Sequence, residues 1–208
     1  MESCIITGIY YLYQYHSVIL LHVKRDMSLL GEQNMADDLF IIRPSKDLEK
    51  EIRDYRQEYF DFGEVGINGS CGLARYDKFD EWLELVLSIE KDKLRNDVHA
   101  STFFSFCKTD NKIIGSIQLR HFLTPDLEKH GGHIGYGIRP SERGKSYGKQ
   151  QLLLVLDVAR GMKIPKVMIS CDKDNIPSSK TALSCGGILT CENIYEGNEQ
   201  QIYWIDLH

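Results

Sequence analysis

The sequence predicts a mixed α/β fold, and two kinds of apolar pattern support this prediction. In two early segments, apolar residues recur every three or four positions, which is the period of one helix face. Several shorter segments are continuously apolar or alternate with polar residues, which is typical of strands. The predicted order is one strand, two helices, three strands, a helix, a strand, a helix and two strands. The 208 residues suit one domain with a substantial core.

The first half of the domain begins with a strand predicted at Phe40–Pro44, and Ser45 is a good N-cap for the helix that follows. That helix is predicted from Lys46 to Tyr59, because its apolar residues lie four, three and four positions apart. A loop with several glycines, Gly63–Ala74, separates it from a second helix. The apolar face of the second helix consists of Phe79, Trp82, Val86 and Ile89.

The second half alternates strands and helices more closely. A hairpin turn is expected between its first two strands, and a loop at Leu123–Gly131 leads to the third strand. The helices are predicted from the apolar residues Leu152, Leu156 and Ala159 and from Ser178 onward. The strands are predicted at Thr102–Cys107, Ile113–His121, Gly132–Pro140, Val167–Cys171, Ile188–Asn193 and Gln201–Leu207.

Charge and cysteine content narrow the function classes. The net charge of -5 argues against a general nucleic-acid binder. The six cysteines are far apart and include no Cys-x-x-Cys pair, so buried reduced thiols are expected rather than a disulfide framework or a zinc site. Neither a metal nor a nucleic-acid partner is expected, and the predicted location is the cytoplasm.

Residues 1–34 are expected to form an N-terminal extension to a domain at 35–208. The extension contains an apolar and aromatic run from Ile5 to Val23, but polar residues interrupt it, so a membrane-spanning helix would be poor. Glu2 is the only charged residue before this run, whereas a signal peptide needs positively charged residues there. A translation start at Met27 or Met35, an extra pair of strands and a weak membrane association all remain open.

The stretch from Gly132 to Gly148 predicts an anion site. A short strand stopped by Pro140 leads into a turn rich in glycine and cations, and a helix begins within this turn. Such a junction directs several backbone N–H groups at one point, where phosphate commonly binds. A Walker A loop is excluded because Arg139 stands where its first glycine is needed, and a dinucleotide fingerprint because Pro140 replaces its third glycine.

The same stretch resembles the GCN5-related N-acetyltransferases (the GNAT superfamily), in particular a group of bacterial predicted acetyltransferases. Ile138-Arg139-Pro140 and then Arg143-Gly144-Lys145-Ser146-Tyr147-Gly148 match the strand end and the Arg/Gln-x-x-Gly-x-Gly/Ala fingerprint of that family. Asn175-Ile176-Pro177-Ser178, followed by Gly186-Gly187, matches a second family motif. The resemblance implies an acyl-CoA N-acyltransferase fold with a central, mostly antiparallel sheet. It also implies acetyl-CoA as co-substrate.

The resemblance implies a set of cofactor-binding residues at these motifs. One residue departs from the fingerprint: Ser146 replaces its middle glycine, which keeps the backbone N–H but loses the easy positive φ of glycine. The loop is therefore expected to sit slightly differently. The residues expected to bind the cofactor are Ile138, Arg139, Arg143, Gly144, Lys145, Ser146, Tyr147, Gly148, Lys149, Asn175 and Ser178.

The sequence identifies the catalytic residues less clearly than the cofactor-binding residues. His133 lies where family bases often lie, on the strand before the pyrophosphate loop, and His121 is a second candidate. His130, Glu128 and water-mediated routes are further alternatives. Many family members reprotonate the leaving thiolate with a tyrosine at the position that Ala182 occupies here. Tyr136 or another tyrosine is therefore the expected replacement, although a thiol of pKa near 8.5 can also leave without help.

The expected activity is acetyl transfer to a primary amine by direct attack in a ternary complex. The acceptor is either a small molecule or a protein amine, and a homodimer remains open. A CoA-binding sensor without transferase activity is the main alternative, and a protein-interaction role of the aromatic extension is a third. Four acidic residues could attract a cationic amine or simply form a solvated edge: Asp61, Glu64, Asp77 and Glu81.

Overall fold

The computed structural model describes residues 39–91 and 98–208. The predicted N-terminal extension therefore lies outside the described residues. Within them the chain forms two sheets and five α-helices. The strands are β1 (Leu39–Ile42), β2 (Ala100–Cys107), β3 (Ile113–Arg120), β4 (Ile134–Ile138), β5 (Lys166–Asp172), β6 (Ile188–Tyr195) and β7 (Asn198–Asp206). The helices are α1 (Glu49–Asp61), α2 (Phe79–Lys91), α3 (Pro125–Lys129), α4 (Tyr147–Gly161) and α5 (Ile176–Ser184).

Both sheets are antiparallel, which confirms the predicted sheet type. The first has the order β1-β2-β3-β4, and the second has the order β5-β7-β6. Ile117 of β3 pairs with Phe103 of β2 on one side and with Tyr136 of β4 on the other. The predicted mixed α/β fold is therefore confirmed, with every predicted strand present in the described chain.

The structure corrects the predicted loop at Leu123–Gly131, which contains the short helix α3. Thr124 caps this helix by accepting the N–H of Leu127 at 3.3 Å. Pro125 occupies the first helical position, where its fixed φ suits the helix and no N–H is needed. Local capping chemistry makes the helix, and five residues are too few to show a helical period.

Two predicted helix starts are also corrected. Ser45 makes no side-chain capping bond, and a single 3₁₀ turn precedes α1, which begins at Glu49. The last helix begins at Ile176 rather than at Ser178, because the Asn175 side chain caps it. The first strand ends at Ile42, two residues before the predicted end.

The first sheet separates two hydrophobic clusters. On one side, α1 and α2 bury Tyr55 and Trp82 completely against Phe104 of β2. On the other side, α4 buries Leu156 against Ile117 of the sheet. Each fully buried side chain of this size contributes about 1.5–3 kcal/mol relative to exposure, so both faces hold the sheet firmly.

The two sheets meet at one point and then separate. The N–H of His133 donates to the Met168 carbonyl at 2.8 Å, and the N–H of Met168 donates to Nδ1 of His133 at 3.0 Å. No strand ladder joins β4 to β5 in the described chain. The N-terminus of α5 lies beside the opening, where Tyr136 of β4 contacts Ser178. This leaves the outer edge of β4 free to face a groove.

Candidate functional site

A groove of about 720 Å³ runs along the open edge of β4 and over the N-termini of α4 and α5. The connection between α1 and α2 lies along its far side. Its lining residues come from four separate parts of the chain: Glu64 and Asn68; Tyr136, Gly137, Ile138 and Glu142; Arg143, Gly144, Ser146, Tyr147, Gly148 and Lys149; and Asn175, Pro177, Ser178, Lys180, Thr181 and Ser184.

The free edge of β4 presents backbone donors to this groove. In an antiparallel pair, successive residues turn their N–H and C=O groups alternately toward and away from the partner. The N–H of Arg139 donates to the Ile114 carbonyl of β3 at 2.8 Å. The N–H groups of Ile138 and Tyr136 therefore face away from β3, toward the opening between the sheets. This geometry suits the predicted role of Ile138 in binding a carbonyl oxygen.

The turn between β4 and α4 twice adopts a left-handed backbone conformation. Gly144 has φ 79°, and Ser146 has φ 61° and ψ 12°. Ser146 thus adopts the conformation that glycine would favour, and the expected shift of the loop is not needed to explain its path. The N-terminus of α4 lies here, and the helix dipole adds partial positive charge at this end. This geometry suits the predicted binding of an anion on the groove wall.

The cations of the turn already have acidic partners. Nη1 and Nη2 of Arg143 donate to the two carboxylate oxygens of Glu64 at 2.6 and 3.0 Å, and the hydrogen bond to Glu64 raises the pKa of Arg143. Nε of Arg143 donates to the Ile138 carbonyl at 3.1 Å. Nζ of Lys145 donates to Glu142 at 2.7 Å, and Glu142 also pairs with Lys112. Glu142 and Glu64 thus offset much of the positive charge beside the groove.

Arg139, predicted to bind the cofactor, is turned away from the groove lining. Its Nε donates to Oε2 of Glu58 at 2.5 Å, and Nη1 donates to the Ile113 carbonyl at 3.2 Å. The other oxygen of Glu58 accepts the N–H of Ser141 at 3.0 Å. These contacts tie α1 to the end of β4, so Arg139 holds the turn in place. Among the predicted cofactor residues, Tyr147 also packs its ring against a small core cluster while lining the groove.

Three predicted residues meet at the N-terminus of α5. Oδ1 of Asn175 accepts the N–H of Ser178 at 3.2 Å, so Asn175 forms the cap that the sequence left as an alternative. The Tyr136 hydroxyl lies 3.0 Å from Oγ of Ser178 and donates to the Ser178 carbonyl at 3.2 Å. Burial raises the pKa of Tyr136 to about 12, so its hydroxyl keeps its proton at neutral pH. The structure places this proton on the groove wall.

His133 is buried at the junction of the sheets, with 7% of its surface exposed. Its Nδ1 accepts the N–H of Met168, so the proton of the neutral ring is on Nε2. Burial, together with the charge of Arg120, lowers the pKa of His133 to about 4. The ring also makes an edge contact with Trp204 at 6.0 Å. These contacts support a structural role and leave no free nitrogen lone pair for proton removal.

His121 and His130 lie outside the groove lining. Nε2 of His121 is 2.9 Å from Oγ of Ser101, and burial lowers the pKa of His121. His130 stacks on Tyr195 with ring centroids 4.1 Å apart, and its Nδ1 lies 3.0 Å from Oε1 of Gln200. The described residues include no cluster of His, Cys, Asp or Glu that could hold a metal.

A feature that the sequence analysis missed is the contact between the α1–α2 connection and β4. Gly69 crosses the strand so closely that a Cβ atom on it would lie 2.6 Å from the Gly135 carbonyl oxygen. A Cβ atom on Gly137 would lie 2.9 Å from the Asn68 carbonyl oxygen, which accepts the Ser116 hydroxyl at 3.0 Å. The alternating glycines of β4 were the available signal, because they leave one face of the strand without side chains.

A buried polar chain lies beneath this contact. The hydroxyls of Tyr59 and Tyr55 are 3.0 Å apart, and that of Tyr55 is 3.1 Å from Oγ of Ser116. Gln151 of α4, fully buried, donates from Nε2 to the Ser116 carbonyl at 3.3 Å. These groups fix the β4 backbone from both faces of the sheet. In the sequence they look like ordinary members of helix faces.

Of the four acidic residues expected near the acceptor, only Glu64 lines the groove. Asp61 accepts a hydrogen bond from Gln57, and Glu81 pairs with Lys78. Asp77 is exposed and lies 3.6 Å from Arg56. Ala182, at the position of the family tyrosine, has no hydroxyl and is completely buried, so this position offers no acid to the groove.

No helix among the described residues is long and apolar enough to cross a membrane. No curated protein matches the sequence at a significant level. Solved structures of three acetyltransferases share the fold. RimL, a ribosomal L7/L12 α-N-protein acetyltransferase solved with coenzyme A, has 17% identity and a TM-score of 0.61, over 84% of this chain and 98% of that one.

The microcin C7 self-immunity acetyltransferase MccE, solved with acetyl-CoA and AMP, has 21% identity and a TM-score of 0.59. The match covers 82% of this chain and 93% of that one. A spermidine N-acetyltransferase SpeG chimera from Vibrio cholerae and hSSAT has 15% identity and a TM-score of 0.55, over 82% and 95% of the two chains.

The family model of the GNAT acetyltransferase domain matches residues 77–188. This range spans the second helix, the first sheet from β2 onward, the turn at Gly144–Gly148 and α5. The predicted family, its fold and its acyltransferase class are thereby confirmed. The chain belongs to the GNAT acetyltransferases.

Proposed function

We propose that the protein transfers the acetyl group of acetyl-CoA to a primary amine by direct attack in a ternary complex. One observation carries this proposal: the outward N–H groups of Tyr136 and Ile138 and the anion site at Gly144–Gly148 line a single groove. A thioester carbonyl and a pyrophosphate are the two groups of acetyl-CoA that need such donors.

The pyrophosphate would lie at the N-terminus of α4, where backbone N–H groups and the helix dipole favour anions. The pantetheine arm would follow the free edge of β4. The acetyl carbonyl would then lie against the N–H of Ile138 or Tyr136, which would stabilise the oxyanion of a tetrahedral intermediate. Asn175 and Ser178 would contact the arm from the opposite wall, since both line the groove.

The reaction requires an uncharged amine that attacks the thioester carbonyl carbon. The intermediate then collapses, the C–S bond breaks and the sulfur leaves with the electron pair. The Tyr136 hydroxyl, protonated at neutral pH, would turn from the Ser178 carbonyl to donate a hydrogen bond or a proton to this sulfur. Because the lone pair of His133 is occupied, we propose that the amine loses its proton through water in the groove.

Titration calorimetry with acetyl-CoA tests the cofactor assignment, and an amine panel followed by free-thiol release tests the transfer. We expect binding in the micromolar range and turnover of at least one amine. Tyr136→Phe should lower kcat about tenfold or more while the affinity for acetyl-CoA changes little. Tyr195→Phe, outside the groove lining, serves as the control. An absence of acetyl-CoA binding would refute the proposal.

A CoA sensor without transferase activity is the second candidate. Two observations favour it: Ala182 takes the place of the family's usual acid, and His133 has no free lone pair. Acetyl-CoA binding without thiol release across protein and polyamine acceptors would select this alternative. RimL and SpeG, whose acceptors are of these two kinds by name, make both classes the natural first panel.

The remaining assignments rest on the sequence. We propose a catalytic domain at 35–208 preceded by an extension at 1–34, and a cytoplasmic location. A homodimer is compatible with these assignments. Comparison of the full chain with a variant beginning at Met35, by sedimentation and by acetyl-CoA titration, tests whether the extension contributes to assembly or binding.

A further inference from the structure

The Glu64 carboxylate and the Arg143 guanidinium form a two-pronged ion pair inside the groove. Their two N–O distances are 2.6 and 3.0 Å. Both side chains are partly exposed, 36% for Glu64 and 48% for Arg143. If the ion pair breaks, water can therefore solvate both charged groups, and neither is left as an unpaired charge in the core.

In this pair, Glu64 uses the donors that a phosphate group would use. A guanidinium offers a planar fork of N–H groups that fits carboxylates and phosphates equally well. Arg143 is held near the turn independently of Glu64, because Nε donates to the Ile138 carbonyl and the guanidinium lies 5.6 Å from the ring centre of Tyr59. A pyrophosphate bound at Gly144–Gly148 would therefore compete with Glu64 for the same fork.

The backbone of Glu64 is held in place by contacts that do not depend on its ion pair with Arg143. Its N–H donates to the Tyr59 carbonyl at 2.9 Å, at the end of α1. Four residues later, Asn68 lies against Gly137 of β4. A Glu64 side chain that left Arg143 would consequently stay over the β4 wall, where an acceptor amine must approach Ile138.

We propose that the pyrophosphate of CoA displaces Glu64 from Arg143, and that the released carboxylate then binds the ammonium group of the acceptor. The inference rests on the proposed function. The exchange leaves neither charge unpaired, because Arg143 then pairs with the cofactor and Glu64 pairs with the acceptor. Cofactor binding thus creates the acceptor site, and acetyl-CoA binds before a cationic amine.

The first experiment measures binding of CoA and of pantetheine, which has the arm but no pyrophosphate. Glu64→Gln should tighten CoA about threefold, equivalent to about 0.7 kcal/mol for an exposed ion pair. Pantetheine, followed by ligand-observed NMR, should bind wild type and variant alike. Asp61→Asn is the matched control, since it removes the same charge from the end of α1 without touching Arg143.

An Arg143→Gln background should abolish the effect of Glu64→Gln on CoA. The exchange is refuted if Glu64→Gln leaves CoA affinity unchanged or weakens it. It is equally refuted if Asp61→Asn tightens CoA as much, because the effect would then be general electrostatics. If wild-type protein fails to bind CoA at all, the proposed function itself fails and the exchange fails with it.

The second experiment measures steady-state kinetics at saturating acetyl-CoA. Glu64→Gln should raise KM for a cationic alkylamine about tenfold while kcat stays within about twofold, as expected for lost uniform binding. An uncharged aromatic amine should show no such change in KM. An unchanged KM for the alkylamine would overturn the acceptor role of Glu64, while turnover by the wild type would still uphold acetyl transfer.

Discussion

Mild acid is expected to destabilise the fold through His133. The pKa of His133 is about 4 in the folded chain, against about 6.5 in an unfolded one. Between these values only the unfolded chain binds the proton, so stability rises with pH across this window and is lost as the pH falls through it. The full effect is about 3 kcal/mol, and about 2 kcal/mol of it is lost on going from pH 7 to pH 5.

Urea unfolding of wild type and of His133→Asn, at pH 7 and pH 5, measures this contribution. The asparagine side-chain oxygen can accept the Met168 N–H as Nδ1 does, but it does not titrate. The variant should be less stable at pH 7, because it loses the ring contact with Trp204. Its loss of stability between pH 7 and pH 5 should be about 2 kcal/mol smaller than that of wild type.

Equal losses in the two proteins would refute the assignment of a buried, neutral His133. The pH–rate profile of the same pair tests the catalytic alternative. If His133 holds the two sheets together, the profile keeps its shape in His133→Asn. If activity of wild type rises with pH near neutrality and this acidic limb disappears in His133→Asn, His133 is the general base after all.

Four further substitutions test the backbone geometry and one partly buried ion pair. Ser146→Gly should stabilise the cofactor-free protein by about 0.5–1 kcal/mol in urea unfolding, because glycine adopts the left-handed backbone conformation without the steric strain of a Cβ atom. Gly144→Ala should lower the free energy of unfolding by about the same amount, because it adds a Cβ atom at a left-handed position. Gly69→Ala should cost about 3 kcal/mol, since its Cβ would meet backbone atoms at 2.6 Å, and an unchanged melting temperature would contradict the close crossing. Arg139→Met should cost about 2 kcal/mol by removing the guanidinium that pairs with Glu58 and leaving only the Ser141 N–H on this carboxylate, whereas acetyl-CoA affinity measured by calorimetry should change less than about twofold.

The elements that the sequence predicted well are those with a long apolar period. The helix faces containing Tyr55 and Trp82 extend over several turns, so the periodic signal was strong. The helix α3 was missed because a threonine cap and a proline define it within five residues. Ser45 was a plausible cap in composition, but its side chain has no capping bond in the structure.

At the candidate site, backbone features were predictable and side-chain partners were not. The turn at Gly144–Gly148 follows from a contiguous motif, and its two left-handed positions are features of the local backbone. Arg143 meets a carboxylate 79 positions away, and Arg139 meets one 81 positions away. Because the topology creates these pairs, the sequence motif alone suggested that both arginines would face the cofactor. In the fold, Arg143 instead lines the groove, while Arg139 is turned away from it and pairs with Glu58.

The crossing of Gly69 over β4 bears on how the acceptor range of this protein could change. At that crossing the backbone of Gly69 packs directly against backbone atoms of β4, so its position does not depend on neighbouring side chains. Residues on either side, including Glu64 and the exposed Val65, can therefore be exchanged without moving the groove. Under the proposed transfer to an amine, variation confined to this connection is expected to alter acceptor preference while the edge of β4 stays in place, which makes the connection the natural place to randomise in a selection for new acceptors.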